Sequence, residues 1–136
     1  MIVIDASIVA PLLIDDEEPI PPSILDRLKT APLLAPAHWP LETANMLCAA
    51  ERRKRIDRAS RYRALRLVQR LDVSLATEAL DRAWEAASLL ADRHHLTLYD
   101  AAYLDLAIRR DAALATLDIA LIAAGRDAAI EVITYP

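Results

Sequence analysis

The sequence predicts an α/β fold in three layers, α/β/α, with helices covering both faces of a central, mostly parallel sheet of about four to five short strands. Three observations lead there. Short apolar runs such as Ile2-Val3-Ile4 and Leu33-Leu34-Ala35 alternate with longer segments at helical spacing. The chain is over half apolar yet holds one glycine, Gly125, which suits helical crossovers better than tight hairpins. Finally, strand-like runs stop at carboxylates: Ile2 to Ile4 at Asp5, and 112–116 at Asp118. In an open α/β sheet the ligand crevice lies beyond the carboxyl ends of the strands, so these acids stand at its mouth.

Taken in order, Ile2-Val3-Ile4 reads as a buried middle strand. A helix is predicted over 7–14, ended by the acidic run Asp15-Asp16-Glu17-Glu18, a solvated turn. Pro22 opens a short helix over 23–29, and 33–35 forms a second strand stopped by Pro36. Pro40 opens a helix over 41–53. Leu41, Ala44, Leu47 and Cys48 share its apolar face, while Glu42 and Asn45 lie on a neighbouring face toward the crevice. An arginine-bearing helix over 59–71 and a third strand over 72–75 follow. Thr77 then caps a long helix over 78–93, with Leu80, Ala83, Trp84, Ala87 and Leu90 or Ala91 inward. His94 and His95 favour its negative C-terminal end. Thr97-Leu98-Tyr99-Asp100 starts a helix to Arg110, and a fourth strand spans 112–116. A short helix stopped by Gly125 and an edge strand at Val132-Ile133 complete the chain, read as one domain over 1–136.

Composition removes several function classes. Cys48 is the only cysteine, so neither an internal disulfide nor a CxxC metal site exists. A single glycine excludes glycine-rich phosphate loops, and His38, His94 and His95 have no zinc-site spacing. Trp39 and Trp84 read as core or interface aromatics rather than as a base-stacking platform. Without an apolar run of roughly 18 residues or a leader-like start, the expected location is the cytoplasm, with no membrane contact.

Asp5, Glu42, Asp100 and Asp118 all fall at comparable positions, beyond one end of the sheet. Each also has a local reading: Asp5 and Asp118 as N-caps, Asp100 as the acid of a capping-box-like Thr97-x-x-Asp100, Glu42 as a dipole-favoured helix-start acid. Convergence is costly for carboxylates. Two unit charges about 4 Å apart repel by roughly 1 kcal/mol in water and about 4 kcal/mol at an effective dielectric of 20. Four together call for protons or cations, and Mg²⁺ or Mn²⁺ are the hard ions that oxygen ligands suit.

Four segments carry a resemblance: VIDASIVA with Asp5 and Ser7, PLETANML with Glu42 and Asn45, LTLYDAAYLDLA with Asp100, and LATLDIAL with Thr116 and Asp118. In this order they resemble PIN-domain proteins, specifically the VapC-type toxins of bacterial toxin–antitoxin pairs. The resemblance implies a PIN-like domain, endoribonuclease activity with a metal-activated water, a cognate antitoxin and a homodimer. It implies a catalytic set of Asp5, Glu42, Asp100 and Asp118, with the metal, Mg²⁺ or Mn²⁺, on Asp5, Asp100 and Asp118. Ser7, Asn45 and Thr116 would support the carboxylates. Asp105 is read as surface or interface.

The net charge of −4 conceals nine basic residues between Arg52 and Arg70 against one acid, Asp57. Arg52, Arg55, Arg58, Arg61 and Arg66 fit a phosphate-contacting flank for RNA, a solvated face, or an antitoxin or dimer contact. Rival enzyme classes fit poorly. A haloacid-dehalogenase-type phosphatase wants Asp-x-Asp where Ser7 stands, and a receiver domain wants a lysine near the last strand, which Glu131 to Pro136 lacks. A PIN-like module that binds RNA or protein without cutting, and a housekeeping RNA-processing PIN nuclease, remain as alternatives.

Overall fold

The computed structural model describes residues 1–136, the side chain of Ala79 excepted. Its centre is a five-stranded, wholly parallel sheet in the order β3-β2-β1-β4-β5. The strands are β1 (Ile2–Ile4), β2 (Leu33–Pro36), β3 (Val73–Ala76), β4 (Ala113–Ala115) and β5 (Val132–Ile133). β1 is in the middle, with Ile2 opposite Leu33 on one side and Ala113 on the other. All three residues of β1 and of β4 are buried, as strands covered on both faces require. The chain steps outward from β1 to β2 to β3, then returns to lay β4 and β5 on the opposite flank. The order therefore reverses between β1 and β4, and a crevice opens beyond their carboxyl ends.

Seven helices clothe this sheet: α1 (Ala6–Val9), α2 (Pro22–Thr30), α3 (Trp39–Arg52), α4 (Arg58–Val68), α5 (Ser88–His94), α6 (Leu98–Arg110) and α7 (Ile119–Asp127). Helix α6 packs across β1, β2 and β4. Its run Ala101 to Ala107 is buried without a break, the signature of a helix enclosed on every side. Among the described residues, no helix is long and apolar enough to cross a membrane.

Several expectations need correction. The first helix is only one turn long and continues as a tight 3₁₀ turn, Ala10–Leu12, because Pro11 lacks the N–H that an α-turn would use. Helix α3 begins at Trp39, and its buried stripe is Trp39, Thr43, Leu47 and Ala50; Leu41 is 77% exposed. The expected helix over 78–93 is broken into a 3₁₀ turn Thr77–Ala79, a π-turn Ala83–Ala87 and α5. Thr77 makes no side-chain cap, and Leu80 and Trp84 face solvent, Trp84 at 86% exposure. A polar anchor displaces the expected apolar stripe: Arg82 reaches both carboxylate oxygens of Asp105 on α6, at 2.8 and 2.9 Å. The Ser88 hydroxyl donates to the Ala83 carbonyl five residues back, within the widened turn. Asp105 is accordingly a buried residue, not a surface one.

Gly125 does not stop the last helix but lies inside α7. A Cβ built there would come within 2.7 Å of the Val132 Cγ2 methyl, so the glycine lets the helix approach β5 closely. Gly125→Ala should therefore destabilise the protein by about 1–3 kcal/mol despite alanine's higher helix propensity. Thermal denaturation checks this; a rise in Tm would refute the close-approach reading.

Candidate active site

The four acids arrive at the crevice by four routes. Asp5 ends β1 with an extended backbone and is 3% exposed. Glu42 lies in the first turn of α3, just beyond β2. Asp100 lies in the first turn of α6, and Asp118 is the N-cap of α7, three residues beyond β4.

Asp5 is held by a hydroxyl network that fastens the end of β1 to the end of β4. The Ser7 and Thr116 hydroxyls both donate to its Oδ2, at 2.5 and 2.7 Å. Each hydroxyl oxygen in turn accepts a backbone N–H from the following turn: Leu117 onto Ser7 at 2.8 Å and Asp118 onto Thr116 at 3.0 Å. Two hydroxyls, one beyond each of the adjacent strands β1 and β4, thus orient the carboxylate and brace the turn that presents Asp118. Burial pushes the Asp5 carboxyl above its ordinary value, opposed by the hydrogen bonds from Ser7 and Thr116.

The other three acids follow the same plan. Thr97 caps α6 by accepting the Asp100 N–H at 3.1 Å, and its hydroxyl donates back to Asp100 Oδ2 at 2.6 Å. Asp118 Oδ1 accepts the Leu121 N–H at 2.8 Å. Tyr103 donates its phenol proton to Glu42 Oε2 at 2.5 Å. Every one of the four carboxylates therefore has one oxygen fixed by a protein donor. Among the described residues the second oxygen, Asp5 Oδ1, Glu42 Oε1, Asp100 Oδ1 or Asp118 Oδ2, has no side-chain or capping hydrogen bond.

The local capping reading holds for Asp118 and for the Thr97–Asp100 box, while Asp5 stands at the N-cap position of α1 without a side-chain cap hydrogen bond. Glu42 registers the convergence. Burial raises its pKa, Tyr103 opposes the rise, and the charges of Asp5, Asp100 and Asp118 push it further up. Oxygen-only donors without thiolate suit a hard divalent ion such as Mg²⁺ or Mn²⁺. The fit is one of chemistry and shared field rather than of a closed cage. Among the described residues, no three His, Cys, Asp or Glu side chains are gathered closely enough to hold one ion.

A cavity of about 490 Å³ opens beside two of these acids, with His38, Glu42, Asn45 and Asp100 among its lining residues. Asn45 is exposed there, and its amide makes no hydrogen bond to an acid among the described residues. A larger groove of about 590 Å³, lined by Ile8, Leu12, Leu25 and Leu28, holds none of the four acids. The acid-lined cavity is the candidate site.

Two residues escape a reading of the sequence. Tyr103 buries its ring and reaches Glu42 across 61 positions of chain; its spacing of three from Asp100 on one helix is the signal that marks it. His38 packs its ring against Tyr99 and Tyr103, with centroids 5.4 and 5.1 Å away, and its Nε2 lies 3.7 Å from Glu42 Oε2. Burial lowers the His38 pKa, outweighing the opposing charge of Asp100, which favours the neutral ring.

The basic segment is partly spoken for. Arg55 grips Asp16 at 2.6 and 3.0 Å and Glu17 at 2.5 Å, so the acidic run after α1 is a docked turn rather than a merely solvated one. Arg58 and Arg61 both pair with Glu51. Arg52 and Arg66 are exposed and form no ion pair among the described residues.

A family model described as the PIN domain matches residues 2–127. Three solved structures share the fold. PAE2754 from Pyrobaculum aerophilum is 23% identical with a TM-score of 0.65, covering 90% of this chain and 83% of its own. VapC20 from Mycobacterium tuberculosis, described as a sarcin-ricin loop cleaving toxin, is 19% identical with a TM-score of 0.63, covering 92% and 95%. FitAcB from Neisseria gonorrhoeae is 13% identical with a TM-score of 0.65, covering 98% and 97%. No curated protein matches the sequence.

Proposed function

The chain belongs to the PIN-domain family, and on that footing we propose that it is a metal-dependent endoribonuclease, the toxin of a toxin–antitoxin pair. The observation that carries the proposal is a set of four carboxylates, each with one oxygen that no side chain or helix cap holds among the described residues, with the charges of Asp5, Asp100 and Asp118 acting on Glu42. Asp5 and Asp100 are the principal ligands and Asp118 the third, for Mg²⁺ or Mn²⁺. A divalent ion bound there supplies positive charge that acidifies water and neutralises a phosphodiester in the transition state.

The protein's own groups do the rest. Ser7 and Thr116 keep Asp5 in one orientation. Tyr103 fixes one oxygen of Glu42, leaving the other to take a proton from the attacking water. The raised pKa of Glu42 makes it a stronger base than an ordinary carboxylate, and the neighbouring acids that raise it also keep the site cation-seeking. The water oxygen bonds to phosphorus as a bridging P–O bond breaks, leaving one RNA end with the phosphate and the other with a hydroxyl. With water as nucleophile no covalent enzyme intermediate forms. Asn45 lines the same space as a supporting amide.

VapC20, described as a toxin that cleaves the sarcin-ricin loop, supports RNA as the substrate class. The resemblance of this chain's motifs to VapC-type toxins underlies the further expectation of a cognate antitoxin and a homodimer, and a cytoplasmic site of action stays the expectation drawn from the sequence. A second reading, a PIN module that binds without cutting, is favoured by the absence of a closed carboxylate trio among the described residues. Incubating the purified chain with RNA separates them. Chelation by EDTA should stop cleavage and added Mg²⁺ or Mn²⁺ restore it, whereas chelator-resistant cleavage, or none in either metal, would overturn the proposal.

Within the proposed RNA flank of Arg52, Arg55, Arg58, Arg61 and Arg66, the unpaired cations should matter most. Replacing Arg52 and Arg66 with Gln should lower the slope of log affinity against log salt by about one for each phosphate no longer neutralised. An unchanged slope would leave the segment a solvated face or a protein-binding one.

A further inference from the structure

The acid-lined cavity has an apolar wall that the carboxylate chemistry leaves without a task. Tyr99, adjoining Asp100, is 67% exposed, and Leu41, adjoining Glu42, is 77% exposed. Both line the cavity that holds Glu42 and Asp100. Large apolar side chains scattered singly over a surface need no explanation, but two at the rim of one polar cavity form a site with a shape. The Tyr99 ring is backed by His38 at 5.4 Å and an interplanar angle of 59°, so it is supported on one side and open on the other. Among the residues lining this cavity there is no lysine or arginine. Apart from an ion on the carboxylates, a nucleotide entering it meets no cationic side chain for its phosphate, which leaves the apolar wall to contact its base.

From this arrangement we propose that Tyr99 and Leu41 clamp one unstacked nucleobase of single-stranded RNA beside the carboxylates. This rests on the ribonuclease reading and extends it to substrate form. Every base has a π-face, so the clamp is tolerant of sequence. Because the clamped base must leave its stack, duplex RNA is disfavoured. Such a base would fix the position of its neighbouring phosphate relative to Glu42 and Asp100, which makes Tyr99 a positioning residue.

The test is binding of the full chain to a fluorescein-labelled oligoadenylate of about eight nucleotides and to the corresponding abasic ribose-phosphate chain. Ca²⁺ replaces Mg²⁺ as the oxygen-seeking ion, and oligomer integrity is checked on a gel. The wild type and Tyr99→Phe should bind oligoadenylate about tenfold more tightly than the abasic chain, whereas Tyr99→Ala should lose this preference. A merely structural role would weaken both ligands alike and keep the ratio. Should Tyr99→Ala fail to fold, Leu41→Ser, at the other exposed apolar residue lining the cavity, carries the same test with a smaller loss.

Retention of the preference by Tyr99→Ala, or a wild type that binds neither chain or binds both equally, overturns the clamp. The last result is also expected if the wall receives an apolar side chain of a protein partner. The metal-dependent cleavage assay stands apart from these outcomes. A chain that cuts RNA without base preference keeps the nuclease reading and loses the clamp, and one that prefers bases without cutting does the reverse.

Discussion

Asp5→Asn is expected to reduce RNA cleavage by on the order of a thousandfold while raising the stability of the metal-free protein at neutral pH. Both effects have one cause. Asp5 is 3% exposed, and burial raises its pKa, so its charge opposes folding until a cation compensates it. Asparagine keeps a carbonyl oxygen for the Ser7 and Thr116 hydroxyls, so the bracing between β1 and β4 survives while the charge goes. The pH dependence has a definite sign. A carboxyl whose folded pKa lies above its unfolded one binds more protons in the native state between the two values, so stability falls as pH rises through that window. Metal-free wild type should show this loss above the ordinary carboxylate pKa, and Asp5→Asn should show less of it. Melting in EDTA and in Mg²⁺ checks the argument. Mg²⁺ should raise the Tm of wild type more than that of Asp5→Asn, since binding to the folded state alone stabilises it. A variant that still cleaves at the wild-type rate refutes Asp5 as a ligand.

Asp105→Ala should cost about 3 kcal/mol of stability, the range in which one member of a buried ion cluster is removed and its partners are left behind. Asp105 is 4% exposed and receives Arg82 on both oxygens and Arg109 Nε at 2.9 Å. Burial raises its pKa, but the two guanidiniums outweigh burial and hold it below the ordinary value. Its contribution is therefore present above the unfolded carboxylate pKa and is lost as pH falls through the folded one. Glu78 extends the cluster to Arg109 at 3.5 Å and Arg110 at 2.5 Å, fastening the turns after β3 to α6. Arg82→Ala should cost less, because the Arg82 side chain is itself 39% exposed and Arg109 still neutralises Asp105. Urea denaturation of both variants checks the order. Equal stability of Asp105→Ala and wild type would mean that the cluster does not fasten this segment.

The sheet was legible because its strands are apolar runs cut off by Pro36, Asp5 and Asp118, and Val132-Ile133 falls at the edge as read. The placing of Asp5, Glu42 and Asp118 just beyond strand ends was legible too, because in a parallel sheet those ends lie on one side. Periodicity failed where polar tertiary contacts outweigh an amphipathic stripe. Around Trp84 the apolar spacing is present, but the Arg82–Asp105 pair and the Ser88–Ala83 bond determine which side faces α6. Burial of Asp105 was missed because both its cations sit elsewhere, Arg82 on a different element and Arg109 one turn along α6. Tyr103 was missed because its spacing of three from Asp100 marks a shared helix face but not the meeting of α3 and α6 that gives it Glu42 as a partner.

The central claim is that four carboxylates, each with one oxygen held by a hydroxyl or a helix cap and the other without a side-chain partner among the described residues, form a receptor for a divalent ion. Anomalous diffraction from crystals grown in Mn²⁺ tests it most directly. The expected map has a manganese peak between the free oxygens of Asp5 and Asp100 with Asp118 nearby, absent from Asp5→Asn crystals. A map with no manganese at these oxygens, or with the metal bound only elsewhere on the chain, would contradict it.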